Sequence, residues 1–358
     1  MRKKLSLLIL FMWIPLLVIG VSSTSAKVIT LRAADFCPPK HPIRVGFVNG
    51  WKRMFEERTK AIGHPVEIKY YGQESLVKAP DLIDAARNGI CDMANSTYVG
   101  KYIPIVYFLQ IPGMIKDDDV VKSVPAVREL SKKVISPYYE KLGLKSLYSM
   151  GGTTQYQLAG KGEPLTKTEE LKGVTVRVAG KLLPLSARAL GMKPVSMTMG
   201  EVYEAFERGV VDAVSLQVAS YTHYAFFEMI DWALLNLDLG QFGITSWVMN
   251  LKKYNSLPPE IKGVIEEIEL DASRYMMQTI YDRLKYDLGE VWPKKGVKLV
   301  YMPEEEIDKK NELLAPVIHD WLKKMEEEGY PMKTMMTVWE NALAKQGLSL
   351  PKGINPYK

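Results

Sequence analysis

The sequence predicts an α/β protein of two lobes with a cleft between them. Two observations carry this prediction. The order strand, helix, strand, helix, strand occurs twice, first over residues 28–96 and again over 174–216. The chain of 358 residues is also longer than one domain of about 100–200 residues. Because β-α-β order implies parallel strands joined by helical crossovers, each unit should form its own sheet.

The first unit is predicted from hydrophobic periodicity. Apolar residues recur at helical spacing in its first helix, and its second strand alternates apolar and polar residues. Gly89 ends its second helix, as glycine often does. Its elements are, in order, strand 28–34, helix 44–62, strand 66–71, helix 79–88 and strand 93–96.

The second unit repeats this order without detectable sequence repetition, so the similarity is architectural. Gly191 and Gly209 end its two helices. Its elements are strand 174–178, helix 181–190, strand 193–195, helix 200–208 and strand 212–216.

After residue 257 the pattern becomes helical. A long helix is expected from about Glu260 to Trp292, and a second helix over 303–327 begins with an acidic turn that suits a helix N-terminus. From about Gly347 the chain is rich in Pro and Gly, which indicates a surface segment.

The N-terminal residues 1–26 predict a signal peptide cleaved near Ala26. Basic residues at positions 2–4 precede an apolar run at 7–21, and small residues follow at 24–26. The competing interpretation is a retained membrane anchor. An apolar run of about 15 residues is shorter than the roughly 20 that a spanning helix needs, so we expect an exported, periplasmic protein.

Charge and cysteine content bear on two properties, nucleic-acid binding and disulfide formation. Without residues 1–26 the chain has 44 Lys and Arg against 41 Asp and Glu, and the basic residues do not cluster, so nucleic-acid binding is not expected. Export would permit a disulfide between Cys37 and Cys91. If strands 28–34 and 93–96 are parallel neighbours, however, these thiols lie roughly 20 Å apart, beyond disulfide reach. We expect two free thiols.

The sequence lacks the common catalytic signatures. It has no Walker loop, no G-x-S-x-G elbow and no G-x-G-x-x-G, and its four histidines do not stand at metal-ligand spacing. We therefore predict no catalytic residue, no metal and no cofactor. Two α/β lobes suit ligand capture, since such sheets bind ligands at the carboxyl ends of their strands and two-lobed binding proteins close around them.

Arg177 is the leading candidate for a binding residue because it interrupts the apolar strand 174–178. Burying a guanidinium without a partner is costly, and its planar fork matches a carboxylate. From periodicity alone, an outward-facing side chain or an internal ion pair is the favoured explanation of Arg177.

Three segments carry a family resemblance: an L-K-G-x-x-x-R strand at 171–177, a G-x-x-P-V step at 191–195 and an E-x-Y-x-A run ending in V-D-A at 201–213. Phe206 and Ala213 replace the usual Leu and Gly. The chain resembles, along essentially its whole mature length, the solute-binding subunits of tripartite ATP-independent periplasmic (TRAP) transporters of the dicarboxylate-binding type.

The resemblance implies a periplasmic-binding-protein fold, with a long helix spanning both lobes and each lobe built from discontinuous segments. The implied boundaries are 27–153 plus about 243–282 for lobe 1, 154–242 plus about 283–340 for lobe 2, and a C-terminal surface segment over 341–358. It also implies that Arg177 forms the salt bridge to the ligand carboxylate.

Departures from the family pattern limit the chemical class of ligand that we expect. Ser215-Leu216 stands where many family members have a pair whose Asn contacts the ligand, so that polar contact is missing here. Family members that bind ligand with the help of a metal have a Glu-Trp pair at this place. Because Ser215-Leu216 lacks that pair, no metal is expected. Residues 153–157 lack the second Arg of many relatives. One cationic anchor predicts one carboxylate. The other candidate ligand contacts, each of which alternatively packs in the core, are Phe36, Tyr98, Gln155, Tyr156, Gln217, Tyr221 and Trp247.

The sequence-based hypothesis is a monomeric, exported binding protein that captures a monocarboxylate for TRAP-type membrane subunits. The ligand body would be apolar or aromatic, or that of a keto- or hydroxy-acid. The alternatives are a dicarboxylate or sugar-acid binder of the same family, a ligand-sensing subunit, and a secreted α/β enzyme, which the missing nucleophile–base pair disfavours.

Overall fold

The computed structural model describes residues 27–151, 157–241, 243–350 and 354–357. The predicted signal peptide therefore lies outside the described residues. The strands are β1 (Ile29–Ala34), β2 (Val66–Tyr71), β3 (Met93–Asn95), β4 (Leu144–Met150), β5 (Gln157–Gly160), β6 (Thr175–Val178), β7 (Lys193–Ser196), β8 (Ala213–Leu216), β9 (Trp232–Leu234), β10 (Thr245–Asn250) and β11 (Lys298–Val300).

The helices of the described residues alternate with these strands and then dominate the C-terminal third. They are α1 (Pro42–Val45), α2 (Arg53–Ala61), α3 (Leu82–Arg87), α4 (Val124–Leu130), α5 (Ser136–Lys141), α6 (Leu182–Ala189), α7 (Met199–Glu207), α8 (Val218–His223), α9 (Leu251–Asn255), α10 (Pro259–Tyr286), α11 (Trp292–Lys294), α12 (Glu304–Glu327) and α13 (Met332–Ala344).

The first sheet has five strands in the order β2-β1-β3-β10-β4. Strand β1 pairs in parallel with β2 and β3, as the sequence pattern predicts. Strand β10 enters between β3 and β4 and is antiparallel to both. A strand that follows the whole second unit in sequence thus closes the sheet of the first.

The second sheet has six strands in the order β11-β9-β5-β8-β6-β7. Strand β6 lies between β7 and β8 and is parallel to both, so the predicted β-α-β-α-β arrangement is confirmed for this unit. Strand β5 pairs in antiparallel fashion with β8 and β9. The two-lobed α/β architecture follows from these two sheets.

The long helix α10 connects the lobes. It packs on α1, α2 and β4 beside the first sheet and on α8 beside the second. A wide helical turn, Gly46–Lys52, joins α1 to α2 and lies against α10. A Cβ at Gly46 would overlap the sulfur of Met276, so glycine permits this close approach.

The predicted long helix from Glu260 to Trp292 is slightly shorter as an α-helix, because a wide turn over Asp287–Val291 follows α10. Helix α13 extends to Ala344, and both Ala342 and Leu343 are buried. Among the described residues, no helix combines the length and apolar character that a membrane crossing requires.

Both cysteines of the described chain are buried and free. The parallel register of β1 and β3 places Ala33 opposite Met93. Cys91 therefore precedes β3 at the level of Leu31, whereas Cys37 lies beyond the other end of β1. This is the strand arrangement from which separate thiols were predicted.

Candidate functional site

A cleft of about 440 Å³ lies between the two sheets. Segments that directly follow strands form much of its lining: Phe36 after β1, Thr97 and Tyr98 after β3, Ala179 and Gly180 after β6, Met197 and Thr198 after β7, and Gln217 after β8. Because the strands of each parallel unit end on the same side, their following loops converge there.

Arg177 reaches this cleft from the buried strand β6. It lies opposite Val195 of β7 and Val214 of β8, and its residue is only 3% exposed. One guanidinium nitrogen, Nη2, donates a 2.9 Å hydrogen bond to the carbonyl oxygen of Met197. The backbone that follows β7 thus orients the guanidinium at the edge of the sheet where the parallel strands end.

The cleft lining, over the described residues, contains one cationic and one anionic side chain, and only the cationic one is buried. Among the described lining residues, Arg177 is the only Arg or Lys and Glu201 is the only Asp or Glu. The Glu201 carboxylate accepts hydrogen bonds from the backbone N–H and hydroxyl of Thr198, at 2.8 and 2.7 Å, and so caps α7. An anion in the cleft therefore meets one buried, always protonated cation.

An aromatic wall, defined as Phe36, His41, Tyr98, Tyr107 and Tyr224, faces the same cleft. Phe36 and Tyr98 meet edge to face with ring centroids 5.6 Å apart. His41 and Tyr224 meet with centroids 6.2 Å apart. Burial raises the pKa of each of the three tyrosines, so their hydroxyls stay protonated.

Sequence reasoning missed three members of this wall. Tyr107 lies in an irregular helical segment, Pro104–Gln110, and Tyr224 follows the short helix α8. Neither position has a periodic signal. His41 directly precedes Pro42, which begins α1, and a proline at a helix start is the local signal at this position.

His41 and His223 form a histidine pair at the junction of the lobes, with ring centroids 5.6 Å apart. His41 precedes α1, and its Nδ1 accepts the backbone N–H of Ile43 at 3.3 Å. Burial, with a smaller effect of His223, lowers the pKa of His41 to about 3. Burial, followed by the cations Arg283 and Lys40, lowers the pKa of His223 to about 4.

Of the residues predicted to contact ligand, the structure brings Arg177, Phe36, Tyr98 and Gln217 together around the cleft. Gln155 and Tyr156 lie outside the described residues. Gln217 is buried and directly precedes α8.

Trp247 and Tyr221 do not line the cleft. The Trp247 side chain is fully buried in the core beside the first sheet, where it stacks on Phe47 with centroids 3.5 Å apart. The Tyr221 hydroxyl is 3.0 Å from the carbonyl oxygen of Gln157 and also contacts that of Val214. Each side chain is used for packing between elements, and we do not assign either one to ligand.

The lobes are in contact near Gln110 and Gly240. The side-chain Oε1 of Gln110 accepts the backbone N–H of Leu182 at 3.4 Å. Gly240 has a φ of +128°, and a Cβ there would overlap the carbonyl oxygen of Gln110. Two segments far apart in sequence therefore pack backbone to backbone where the lobes meet.

These features define a class: a two-lobed α/β binding protein whose cleft, in the part of the chain that the structure describes, has one buried cation and an aromatic wall. The family model of the bacterial extracellular solute-binding proteins, family 7 (DctP), matches residues 33–325. The chain belongs to this family, the solute-binding proteins of TRAP transporters. The sequence-based identification of the family is confirmed.

One curated relative, a solute-binding protein from Sulfitobacter sp. strain NAS-14.1, is 30% identical over 186 residues, which are 49% of this chain and 52% of that protein. The fold is shared with solved TRAP solute-binding proteins. One, from a marine metagenome and described as specific for aromatic acid ligands, was solved with metahydroxyphenylacetate. It gives a TM-score of 0.79 at 18% identity, over 89% of this chain and 99% of that one.

A second solved protein comes from Rhodoferax ferrireducens T118 and contains copurified benzoate. Its TM-score is 0.78 at 18% identity, covering 89% of this chain and 98% of that one. At such identities the likeness concerns the fold.

Proposed function

We propose that this protein binds a small organic monocarboxylate in the cleft, with the carboxylate on Arg177, and presents it to TRAP-type membrane subunits. The ligand body is apolar or aromatic, or that of a keto- or hydroxy-acid. The observation that carries the proposal is the buried guanidinium of Arg177, the only Arg or Lys among the described residues of the lining.

Physical chemistry favours a carboxylate at this position. A guanidinium that loses most of its water is stabilised by hydrogen-bond acceptors and by an opposite charge, and the carbonyl oxygen of Met197 supplies an acceptor that carries no full negative charge. A carboxylate supplies two acceptor oxygens in the geometry of the Arg fork. The single cation also supports one carboxylate in preference to two.

The body of the ligand is inferred from the aromatic wall. Phe36 and the rings of Tyr98, Tyr107 and Tyr224 offer flat apolar surface beside the guanidinium. The bound acids of the two solved relatives, metahydroxyphenylacetate and benzoate, are aromatic monocarboxylates. Their clefts belong to the same fold, which supports this ligand class for the present chain.

We place the mature protein in the periplasm as a monomer. The residue pattern at 1–26 supports export, and the family is extracytoplasmic. On export the chain would lose these residues near Ala26 and meet its membrane subunits at the outer face of the inner membrane.

The test begins with thermal-shift screening of the mature protein against benzoate, phenylacetate, pyruvate, lactate, succinate and glucuronate. Calorimetry then measures the tightest ligand. Arg177→Ala should weaken binding by about 2–5 kcal/mol, or at least about 30-fold in Kd, because a charge-assisted pair is lost. Arg188→Ala, an exposed arginine on α6 of the same lobe, is the control and should leave Kd unchanged.

Arg177→Lys should also weaken binding, since lysine keeps the charge but lacks the planar fork. Circular dichroism of each variant checks the fold. Unchanged affinity in Arg177→Ala would refute the assigned role. Stabilisation by succinate or glucuronate alone would instead favour the dicarboxylate or sugar-acid alternative.

A further inference from the structure

We infer that the aromatic wall recognises a neutral oxygen on the ligand, so that the ligand is a hydroxylated aromatic monocarboxylate. This inference rests on the proposed function and specifies the end of the ligand that Arg177 does not hold. Its basis is a set of hydrogen-bonding groups that face the cleft without protein partners.

The hydroxyls of Tyr98, Tyr107 and Tyr224 are the first part of that set. All three residues are half-buried and line the cleft, and within the described residues none of the three hydroxyls has a hydrogen-bond partner. Hydroxyls without partners also occur in the core: the buried Tyr148 hydroxyl has none, whereas the hydroxyl of Tyr139 is 2.7 Å from a serine hydroxyl. What distinguishes the three tyrosines of the aromatic wall is that they line the cleft, where a ligand can supply the partner.

His41 supplies a fourth group. Its Nδ1 accepts a backbone N–H, so in the neutral ring the proton is on Nε2. The ring is neutral at physiological pH because burial holds its pKa at about 3. Since His41 lines the cleft and Nε2 has no hydrogen-bond acceptor among the described residues, this N–H is available to an acceptor on the ligand.

These groups follow one another along the cleft. Arg177 lies close enough to Tyr98 to oppose the burial that raises the pKa of that tyrosine. Tyr98 in turn is near Tyr224, and Tyr224 contacts His41. An acid held at Arg177 would thus extend along a path bordered by hydroxyls and ending at an imidazole N–H.

The oxygen that these groups receive should be neutral. Among the described residues, the aromatic wall contains no Lys or Arg to balance a second carboxylate. Behind the wall lies the buried carboxylate of Asp35, which accepts the hydroxyl of Tyr70 at 2.8 Å and the backbone N–H of Phe36 at 2.7 Å. A second anion near Tyr224 would lose its water with no cation in the wall to replace it, whereas a neutral hydroxyl carries no charge that must be balanced.

The rings select the body that carries this oxygen. The edge-to-face pair of Phe36 and Tyr98 shows that this wall accommodates ring-on-ring contacts. A ring hydroxyl both donates and accepts, so it can engage a tyrosine hydroxyl and the His41 N–H together. An analogue that lacks the hydroxyl should bind more weakly. When it enters, the polar groups of the site lose their water and receive no hydrogen-bond partner in exchange.

Calorimetry with three acids tests the inference: phenylacetate, 3-hydroxyphenylacetate and 4-hydroxyphenylacetate. The wild-type mature protein should bind at least one hydroxylated acid about tenfold or more tighter than phenylacetate. Among Tyr98→Phe, Tyr107→Phe and Tyr224→Phe, at least one should reduce this preference about tenfold with little change for phenylacetate. Tyr203→Phe, which removes an exposed hydroxyl outside the cleft lining, is the matched control and should retain the preference.

The outcomes separate the two proposals. Equal affinity for all three acids, abolished by Arg177→Ala, would overturn the neutral-oxygen inference and leave the proposed function intact. A hydroxyl preference that survives all three Tyr→Phe changes would also overturn it. If none of the three acids binds the wild type while succinate does, the proposed monocarboxylate function itself fails.

Discussion

Removing the histidine pair should flatten the acid sensitivity of the protein. At pH 5 both folded-state rings are neutral, because their pKa values are about 3 for His41 and about 4 for His223. In the unfolded chain each ring has its ordinary pKa of 6.5 and is largely protonated. The unfolded state therefore binds more protons, and folding stability decreases as the pH falls from about 7 towards 4.

The magnitude follows from the unfolded state. Between pH 7.5 and 5, protonation of a group of pKa 6.5 stabilises the unfolded chain by about 2 kcal/mol. Two histidines give about 4 kcal/mol, reduced to about 3–4 kcal/mol because His223 is only partly buried. Other groups, carboxylates above all, add their own pH dependence, so the difference between wild type and variant isolates the pair.

The variant is His41→Asn with His223→Gln. Asparagine is a good helix N-cap and keeps an acceptor for the Ile43 N–H, so the start of α1 should be preserved. Urea unfolding followed by tryptophan fluorescence at pH 7.5, 6 and 5 gives the free energy of unfolding. The wild type should lose about 3–4 kcal/mol more than the variant over this range. Parallel losses in the two proteins would refute the reasoning, and exposed His319→Gln should follow the wild type.

Three further experiments test the packing. Trp247→Ala should lower the free energy of unfolding, measured by urea titration, by about 3–5 kcal/mol, because it leaves a cavity at a fully buried site in the core beside the first sheet. A change in ligand affinity without a loss of stability would contradict the assignment of Trp247 to packing. Gly240→Ala should destabilise by at least about 1 kcal/mol in thermal unfolding, because its φ is positive and a Cβ would overlap a backbone carbonyl oxygen. Gly263→Ala, in the open interior of α10, is its control and should stabilise slightly. Cys37 and Cys91 should react with a thiol reagent only after unfolding, because both are buried and burial raises the pKa of each thiol, that of Cys91 to about 12. Rapid labelling of the native protein would contradict this prediction.

Elements with a strong local pattern could be predicted from the sequence. The parallel strands of both units and the helices between them appear within a few residues of their expected bounds, because periodicity and terminal glycines are local signals. Strands β4 and β10 give no such signal. Residues 245–249 of β10 are all buried, so the strand shows no alternation, and its partners are distant in sequence.

The site was predictable to a smaller extent. Arg177 stands out because a charge inside an apolar strand is unusual and the surrounding motif is specific. Tyr107 and Tyr224 lie on irregular segments whose position depends on the packing of both lobes, so the sequence did not indicate them. Trp247 illustrates the converse: an aromatic residue near an expected site can belong entirely to the core.

The position of β10 has a consequence for how the molecule must be assembled. The five-stranded sheet needs β10 between β3 and β4. Strand β10 is synthesised only after every strand of the six-stranded sheet except β11. A ribosome-bound chain shorter than about 250 residues therefore has β4 without β10, which is its one partner strand in the described part of the chain. Contacts of such long sequence separation slow folding, and the first sheet cannot be completed until most of the second has been synthesised. Truncation before residue 245 should leave neither lobe able to fold as it does in the whole chain.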